Sequence, residues 1–509
     1  MSIPIPPGPT GQRLTQRNAA RPGAGGWFWP ALAGVLLLTV FRVALLAFNR
    51  TDLWVDEAQY WYWGQSLQWG YYSKPPLIAV LIRGVTGLAG SDAAFWVRLP
   101  APLLHGATAM VLGAIAARQG RGAAIVVAMG YVSLPMVALG SALITTDTLM
   151  LPLFALALLV LLAASEADGA RARFGLAGLC GVLVGLAFLA KYTAVFFLIG
   201  LVVAGFADPR LRPGWRSAAI GLSCFALVIA PNVLWNLQNG LVTAGHTLDN
   251  LAWPRGEAGL PGMHFASLFN FVANQFIVFG PIPFAVLLTI TLTRKDTVDQ
   301  PLRRVAWSFC WPVLLLVSLQ ALLDQAYANW AVAAYLGGSL LVFPQLLRMR
   351  PVWLVASFVV NGSLCVALPL VTSVADRLRL GSDNLLLKRY VGQAEMSRAI
   401  LALAAREGLP TVVAADRGLL ADLFYTGREL PVRVYSVPFH GVPPNHYAMT
   451  RALPGAMAGE VLFATLTDTP PPCAKAAQPV ARIAPVLGTY QNRPVTVYRL
   501  PATCWGAGE

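Results

Sequence analysis

Eleven stretches of this chain are apolar for long enough to cross a lipid bilayer, and this limits its fold more than any other feature. A helical span needs about 20 such residues. The stretches lie near 28–48, 97–117, 122–143, 147–164, 174–190, 193–207, 216–232, 266–293, 305–323, 331–347 and 352–374. Backbone groups inside hydrocarbon must be satisfied within their own segment, so the stretches predict helices. Composition agrees, with 57% hydrophobic and 12% charged residues, against about 25% charged in soluble chains. The run 76–90 is shorter and follows Pro75-Pro76. It is expected at the membrane surface as a juxtamembrane or re-entrant helix, with a true span as the rival reading.

The net charge of +14 is spread in small groups between apolar runs. A nucleic-acid footprint would cluster on one face or arm, so nucleic acid is excluded as a partner and membrane lipid is favoured. The positive-inside bias then sets the orientation. One set of connections carries Arg13, Arg17, Arg21, Arg118, Arg121, Arg171, Arg173, Arg210, Arg212, Arg216, Arg294, Lys295, Arg303, Arg304, Arg348 and Arg350. The other carries only Arg50, Lys74, Arg83, Arg98, Lys191 and Arg255. The N-terminus is thus expected in the cytoplasm and, after an odd number of spans, the C-terminus outside. Residues 1–26, rich in Pro, Gly and Arg, read as a disordered cytoplasmic tail. The first apolar run exceeds the 7–15 residues of a signal-peptide core and reads as a retained helix.

Residues 27–375 form the expected transmembrane domain, with an outer loop at 49–96. From 376 to 509 the composition becomes that of a small α/β domain facing outwards. Strands are expected at 411–415, 431–437, 460–465 and 494–500, and a helix at 390–407. Cys180, Cys224, Cys310 and Cys365 fall inside spans as packing residues. An oxidising compartment allows Cys473 and Cys504 to pair.

The polar residues that a membrane protein has least reason to keep are gathered on the outer side. The loop from Thr51 to Leu77 sets Asp56-Glu57 among Trp and Tyr. An aromatic belt at the interface explains the rings but not the carboxylates, which are costly there unless paired, metal-bound or used. Asp147 opens another span after Thr145 and Thr146, as a helix cap or a second functional acid. Lys191-Tyr192 joins two spans, where the lysine either snorkels or meets a ligand. Asn232, Trp235, Asn236, His246, Asp249, His264, Asp324, Tyr327, Asn329 and Trp330 share the same side. Such a cavity suits a substrate with an apolar tail and a phosphate head. Lys74 would clamp the phosphate, and a carboxylate would act as general base. Alternatively, the carboxylates with His246 or His264 would hold a divalent metal ion.

In order along one face, the outer-loop Asp-Glu, YYSKPPL, TTDTLMLP, LAKYT and PNVLWN resemble the glycosyltransferase family 39 group of GT-C membrane enzymes. The likeness covers about 50–375 and is strongest over 52–240. It implies a polytopic GT-C fold of about eleven transmembrane helices. It also implies inverting sugar transfer from a polyprenyl-phosphate donor on the periplasmic face of a bacterial inner membrane. By the same resemblance Asp56 is the catalytic acid, with Glu57 beside it and Asp147 opening the fourth span. Lys74 would meet the carrier phosphate, with Lys191 and Tyr192 near it. Tyr71, Tyr72, Trp235, Asn236, Asn329 and Trp330 would line the cavity, with Tyr335 near the last two. Two departures qualify this. Ser73 stands where relatives carry a metal-binding acid, which weakens the metal reading. The outer domain lacks the lectin-like repeats of protein mannosyltransferases, which favours lipid A, core or another envelope glycan as acceptor over protein. The rival function is a transporter or flippase of lipid-linked sugars. Transporters bury charge at the midplane, whereas here only Arg42 and His105 depart from the outer face.

Overall fold

The computed structural model describes residues 26–249, 262–293, 300–381, 384–468 and 470–505. The N-terminal tail to residue 25, Arg255, Arg294 and Lys295 lie outside the described residues. Every expected apolar run is helical. Seven helices have the length and composition of membrane spans: Phe28–Leu46, Ala94–Gln119, Thr146–Glu166, Ala170–Ala190, Trp215–Gln238, Gln300–Leu323 and Pro351–Ser373. Two bent pairs raise the total to nine. The runs at 193–207 and 331–347 are shorter helices, Tyr192–Ala207 and Ala334–Arg348. By length, the described helices therefore supply seven to nine full spans rather than eleven.

The bends have local causes. Arg121–Val132 and Pro135–Ala142 meet at 51°. Pro135 disfavours helical geometry at the residue before it, and Leu134 is extended with φ −62 and ψ 142. Phe265–Val278 and Pro281–Thr293 meet at 117°, so 266–293 is not the single straight span expected. Gly280 turns the chain there with φ +93, and a Cβ on it would lie 2.4 Å from Asn361 Oδ1. Only glycine meets both demands. Ala334–Arg348, though short, is buried on nearly every side, as befits a helix enclosed by others.

Leu77–Ala89 is an amphipathic helix of 13 residues. Ile78, Ile82 and Thr86 form its buried stripe, while Val80 and Leu88 are exposed. The short helix Val55–Gly64 precedes it.

The C-terminal part is a five-stranded sheet: β1 Thr411–Ala414, β2 Arg433–Ser436, β3 Glu460–Thr465, β4 Pro479–Ile483 and β5 Val495–Pro501. The strand order is β2-β1-β3-β5-β4. β1 is parallel to β2 and β3, and β5 is antiparallel to β3 and β4. The expected helix is Gln393–Arg406, and an unforeseen one, Arg417–Thr426, follows β1. Cys473 and Cys504 form a disulfide.

Three apolar cores result. The largest lies inside the helix bundle. One face of the sheet packs on Phe463, Tyr498 and their neighbours. The third core is shared: Leu53, Trp61, Trp63, Tyr71 and Ile82 of the loop are continuous with Met396, Leu420, Tyr447 and Leu462 of the C-terminal domain. Loop and domain are thus one packed unit at one end of the bundle.

Candidate active site

The first turn of Val55–Gly64 places Asp56 and Glu57 side by side in opposite environments. Glu57 closes a capping box, accepting from the Trp54 N–H at 2.9 Å. Its oxygens also accept from Arg98 Nε at 2.9 Å and Arg98 Nη2 at 2.6 Å, and from the Ile144 N–H at 2.8 Å. Arg98 and Glu57 are both buried, and Arg98 further donates to Thr51 and to the Asp52 carbonyl. Every lone pair that Glu57 can readily offer is occupied. Asp56, half exposed, has a single ionic partner among the described residues, Arg417 Nη2.

Arg417 arrives from the C-terminal domain, at the first helical position of Arg417–Thr426, after Asp416 caps the helix on the Leu419 N–H. Its Nε donates to Gln59 Oε1 at 2.6 Å, and Gln59 Nε2 donates to Ser73 Oγ at 3.4 Å. The three residues link the helix Val55–Gly64, the SKPP turn and the domain.

Asp147 sits in the first turn of Thr146–Glu166, whose cap is Thr145. Lys191 Nζ donates to both of its oxygens, at 2.7 and 2.8 Å. Lys74, on the rigid turn before Leu77–Ala89, belongs to the same group: Lys191, Asp56, Asp147 and Arg417 all act on its charge. Burial, reinforced by the Lys191 ammonium, pulls the Lys74 ammonium below the ordinary lysine range. It makes no hydrogen bond or ion pair among the described residues. Two acids and three cations therefore converge, with two pairs formed and one ammonium left over.

The end of the helix Trp215–Gln238 is not free to move away from this group. In Trp215–Gln238, Asn232 Nδ2 donates to the Trp69 carbonyl at 2.7 Å, and Trp235 Nε1 to Gln68 Oε1 at 3.1 Å. The Tyr192 hydroxyl donates to Asn232 Oδ1 at 2.9 Å and accepts from Asn236 Nδ2 at 3.3 Å. A Cβ on Gly70 would lie 2.3 Å from the Trp235 ring, so this approach requires glycine.

Several expected site residues fall elsewhere. Tyr71 is fully buried and stacks on Trp63 at 4.6 Å, its hydroxyl donating to the Trp63 carbonyl. It is a core residue, because its ring supplies the floor of the loop rather than a wall open to a ligand. Tyr72 instead lies half-buried against His246, with ring centroids 5.1 Å apart. Burial, and then the charges of Lys74 and Arg417, lower the His246 pKa. Asn329 and Trp330 lie in the turn Ala328–Ala331, where Trp330 meets Tyr327. No hydrogen bond, ion pair or ring contact among the described residues joins them to Asp56. His264 is exposed ahead of Phe265–Val278, its N–H donating to the Leu322 carbonyl. Among the described residues no three His, Cys, Asp or Glu side chains are grouped to hold a metal ion. Asp56 and Asp147 each face a cationic side chain, so the residues present do not fit a divalent ion.

Sequence reading missed Arg417, Gln59 and Arg98. The sequence Asp416-Arg417-Gly418 carried a helix-start signal, but nothing local said which surface the arginine would reach.

A family model described as dolichyl-phosphate-mannose-protein mannosyltransferase matches residues 73–235. The lipid A galacturonosyltransferase RgtD of Rhizobium johnstonii is 39% identical over 478 residues, covering 92% of this chain and 98% of that protein. Two crystal structures of ArnT from Cupriavidus metallidurans share the fold, each over 94% of this chain. The apo form has TM-score 0.64 at 15% identity and covers 98% of that chain. The form bound to undecaprenyl phosphate has TM-score 0.65 at 16% identity and covers 99%.

Proposed function

This chain is a multi-pass membrane glycosyltransferase of the GT-C family that includes the lipid A galacturonosyltransferases, and from that premise we propose that it moves a galacturonosyl group from a polyprenyl-phosphate carrier to lipid A. The full-length similarity to a lipid A galacturonosyltransferase supports both donor sugar and acceptor, and the same kinship favours transfer over flipping. The reaction would take place on the periplasmic face of the inner membrane. Residues 27–375 would hold the membrane domain, and 376–509 a periplasmic domain. The charge bias of the connections supports this orientation.

One observation carries the reading: the charges of Asp56, Asp147, Lys191 and Arg417 all act on buried Lys74, and Asp147 is paired with Lys191. In the proposed step the oxygen of an acceptor hydroxyl bonds to the anomeric carbon while the bond from that carbon to phosphate oxygen breaks. The electron pair leaves with the polyprenyl phosphate, the anomeric configuration inverts, and the hydroxyl proton passes to the Asp56 carboxylate. Lys74 neutralises the phosphate as negative charge develops on it. Asp147 holds Lys191 beside that phosphate, within reach of the Tyr192 hydroxyl. Tyr72, Trp235 and Asn236 would border the bound donor. Glu57 takes a positioning role, because its oxygens hold Arg98 and the backbone.

Purified protein with the matching donor and lipid A tests this directly. Asp56→Asn is expected to lower kcat by roughly 10²–10⁴-fold, the usual range for a general base, with folding intact. Full activity in that variant removes Asp56 from the mechanism.

A further inference from the structure

We propose that Arg417, carried by the C-terminal domain, reads the carboxylate of the donor sugar and releases Asp56 as it does so. The inference rests on the transferase reading above and adds the group that selects an acidic sugar.

Arg417 Nη2 occupies Oδ1 of Asp56, so the guanidinium stands on the same carboxylate that would have to meet the acceptor hydroxyl. A new anionic partner for Arg417 would clear that oxygen for the acceptor by simple exchange. The guanidinium is well placed for this. Gln59 fixes Nε at 2.6 Å, so the group can pivot without being lost from the site. Nη1 makes no hydrogen bond among the described residues, and the side chain is half exposed. Two donors of a planar fork, one idle and one exchangeable, match the two oxygens of a carboxylate.

The other cations are suited to different work. Lys191 is held by both oxygens of Asp147. Lys74 is a point charge, which suits a phosphodiester bearing one negative charge. A polyprenyl-phosphate hexuronate brings two anions, one on phosphate and one on the sugar. Lys74, unpaired among the described residues, and Arg417, exchangeable, are the two cations available to meet them. A neutral sugar would leave Arg417 on Asp56, and the base would stay occupied. Selection and activation would then be one event.

The test compares polyprenyl-phosphate galacturonate with the same carrier bearing galactose, using full-length protein and lipid A. Wild type is expected to favour the uronate in kcat/KM by about 100-fold or more, and Arg417→Ala to reduce that ratio at least tenfold. Arg417→Lys should keep part of the ratio, since it restores charge without the fork. Binding provides a second readout that does not need turnover. In Asp56→Asn the arginine loses its resting partner, so affinity for the uronate donor should rise several-fold relative to the galactose donor. If Arg417→Ala slows both donors equally, or Asp56→Asn leaves the affinity ratio unchanged, Arg417 only orients Asp56 and the proposal falls. Wild-type transfer of neither sugar would instead overturn the transferase reading and this inference with it.

Discussion

Neighbouring residues on a helix point about 100° apart, and on Val55–Gly64 that rotation leaves Asp56 half exposed beside Arg417 and sends Glu57 into the core. Glu57 compensates a buried guanidinium, and breaking such a pair costs roughly 3–5 kcal/mol. Glu57→Ala is therefore expected to lower thermal stability and accumulation in the membrane sharply, whereas Asp56→Asn should leave both near wild type. Equal melting temperatures for the two variants would contradict this division. At Lys74 the lowered pKa has a definite consequence. The ammonium loses its proton at lower pH than an ordinary lysine, so donor affinity should fall early on the alkaline side. Lys74→Arg, which stays charged, should move that limb of the pH profile upwards. The acid pair and the lysine were legible in the sequence because polar groups beside apolar spans stand out. Their separate roles were not, since Arg98 and Ile144 reach Glu57 only in the folded chain.

Among the elements, the join between loop and domain depends on a helix cap supplied from far away. Asp52 Oδ2 accepts from the N–H groups of Gly392, Gln393 and Ala394, at 2.7, 2.8 and 3.4 Å. These are the orphan donors at the start of Gln393–Arg406. Trp54 adds a ring contact to Tyr390 and lies under Arg389. Asp52→Ala should cost about 0.5–2 kcal/mol, as for other N-caps. Hydrogen exchange at 392–395 should report the loss, and unchanged protection there would show that the cap contributes nothing. The helix begins at Gln393 rather than 390 because this cap sets its start. Two elements escaped the pattern reading. β4 is an edge strand that begins with Pro479 and alternates only weakly in exposure. Arg417–Thr426 is a helix of 10 residues, too short for a strong periodic signal.

For the molecule as a whole, the shared core makes loop and domain stability a single quantity. His446, buried and with Nδ1 lacking a hydrogen bond among the described residues, packs edge-on against Trp63 and Tyr71. Burial lowers its pKa to about 4, below the ordinary value of about 6.5. The unfolded chain therefore binds the proton more tightly, and stability that is complete above about pH 6.5 declines as pH falls towards 4. The full loss is on the order of 3 kcal/mol. Asp422, raised to about 6 by burial, works in the opposite sense over the same range, gaining its proton on folding. Comparing wild type with His446→Gln isolates the histidine: the variant should lose less stability between pH 7 and 5, and parallel curves would refute the assignment. The membrane class, the helical runs, the α/β tail and the gathering of Asp56, Lys74, Asp147 and Lys191 on one side could all be read from the chain. Apolar length and charge bias are local and additive, so they survive in a linear reading. The kinks, the shared core and the Arg417–Asp56 pair belong to folding. That pair joins positions 361 residues apart, and only packing the domain onto the loop brings them within bonding distance.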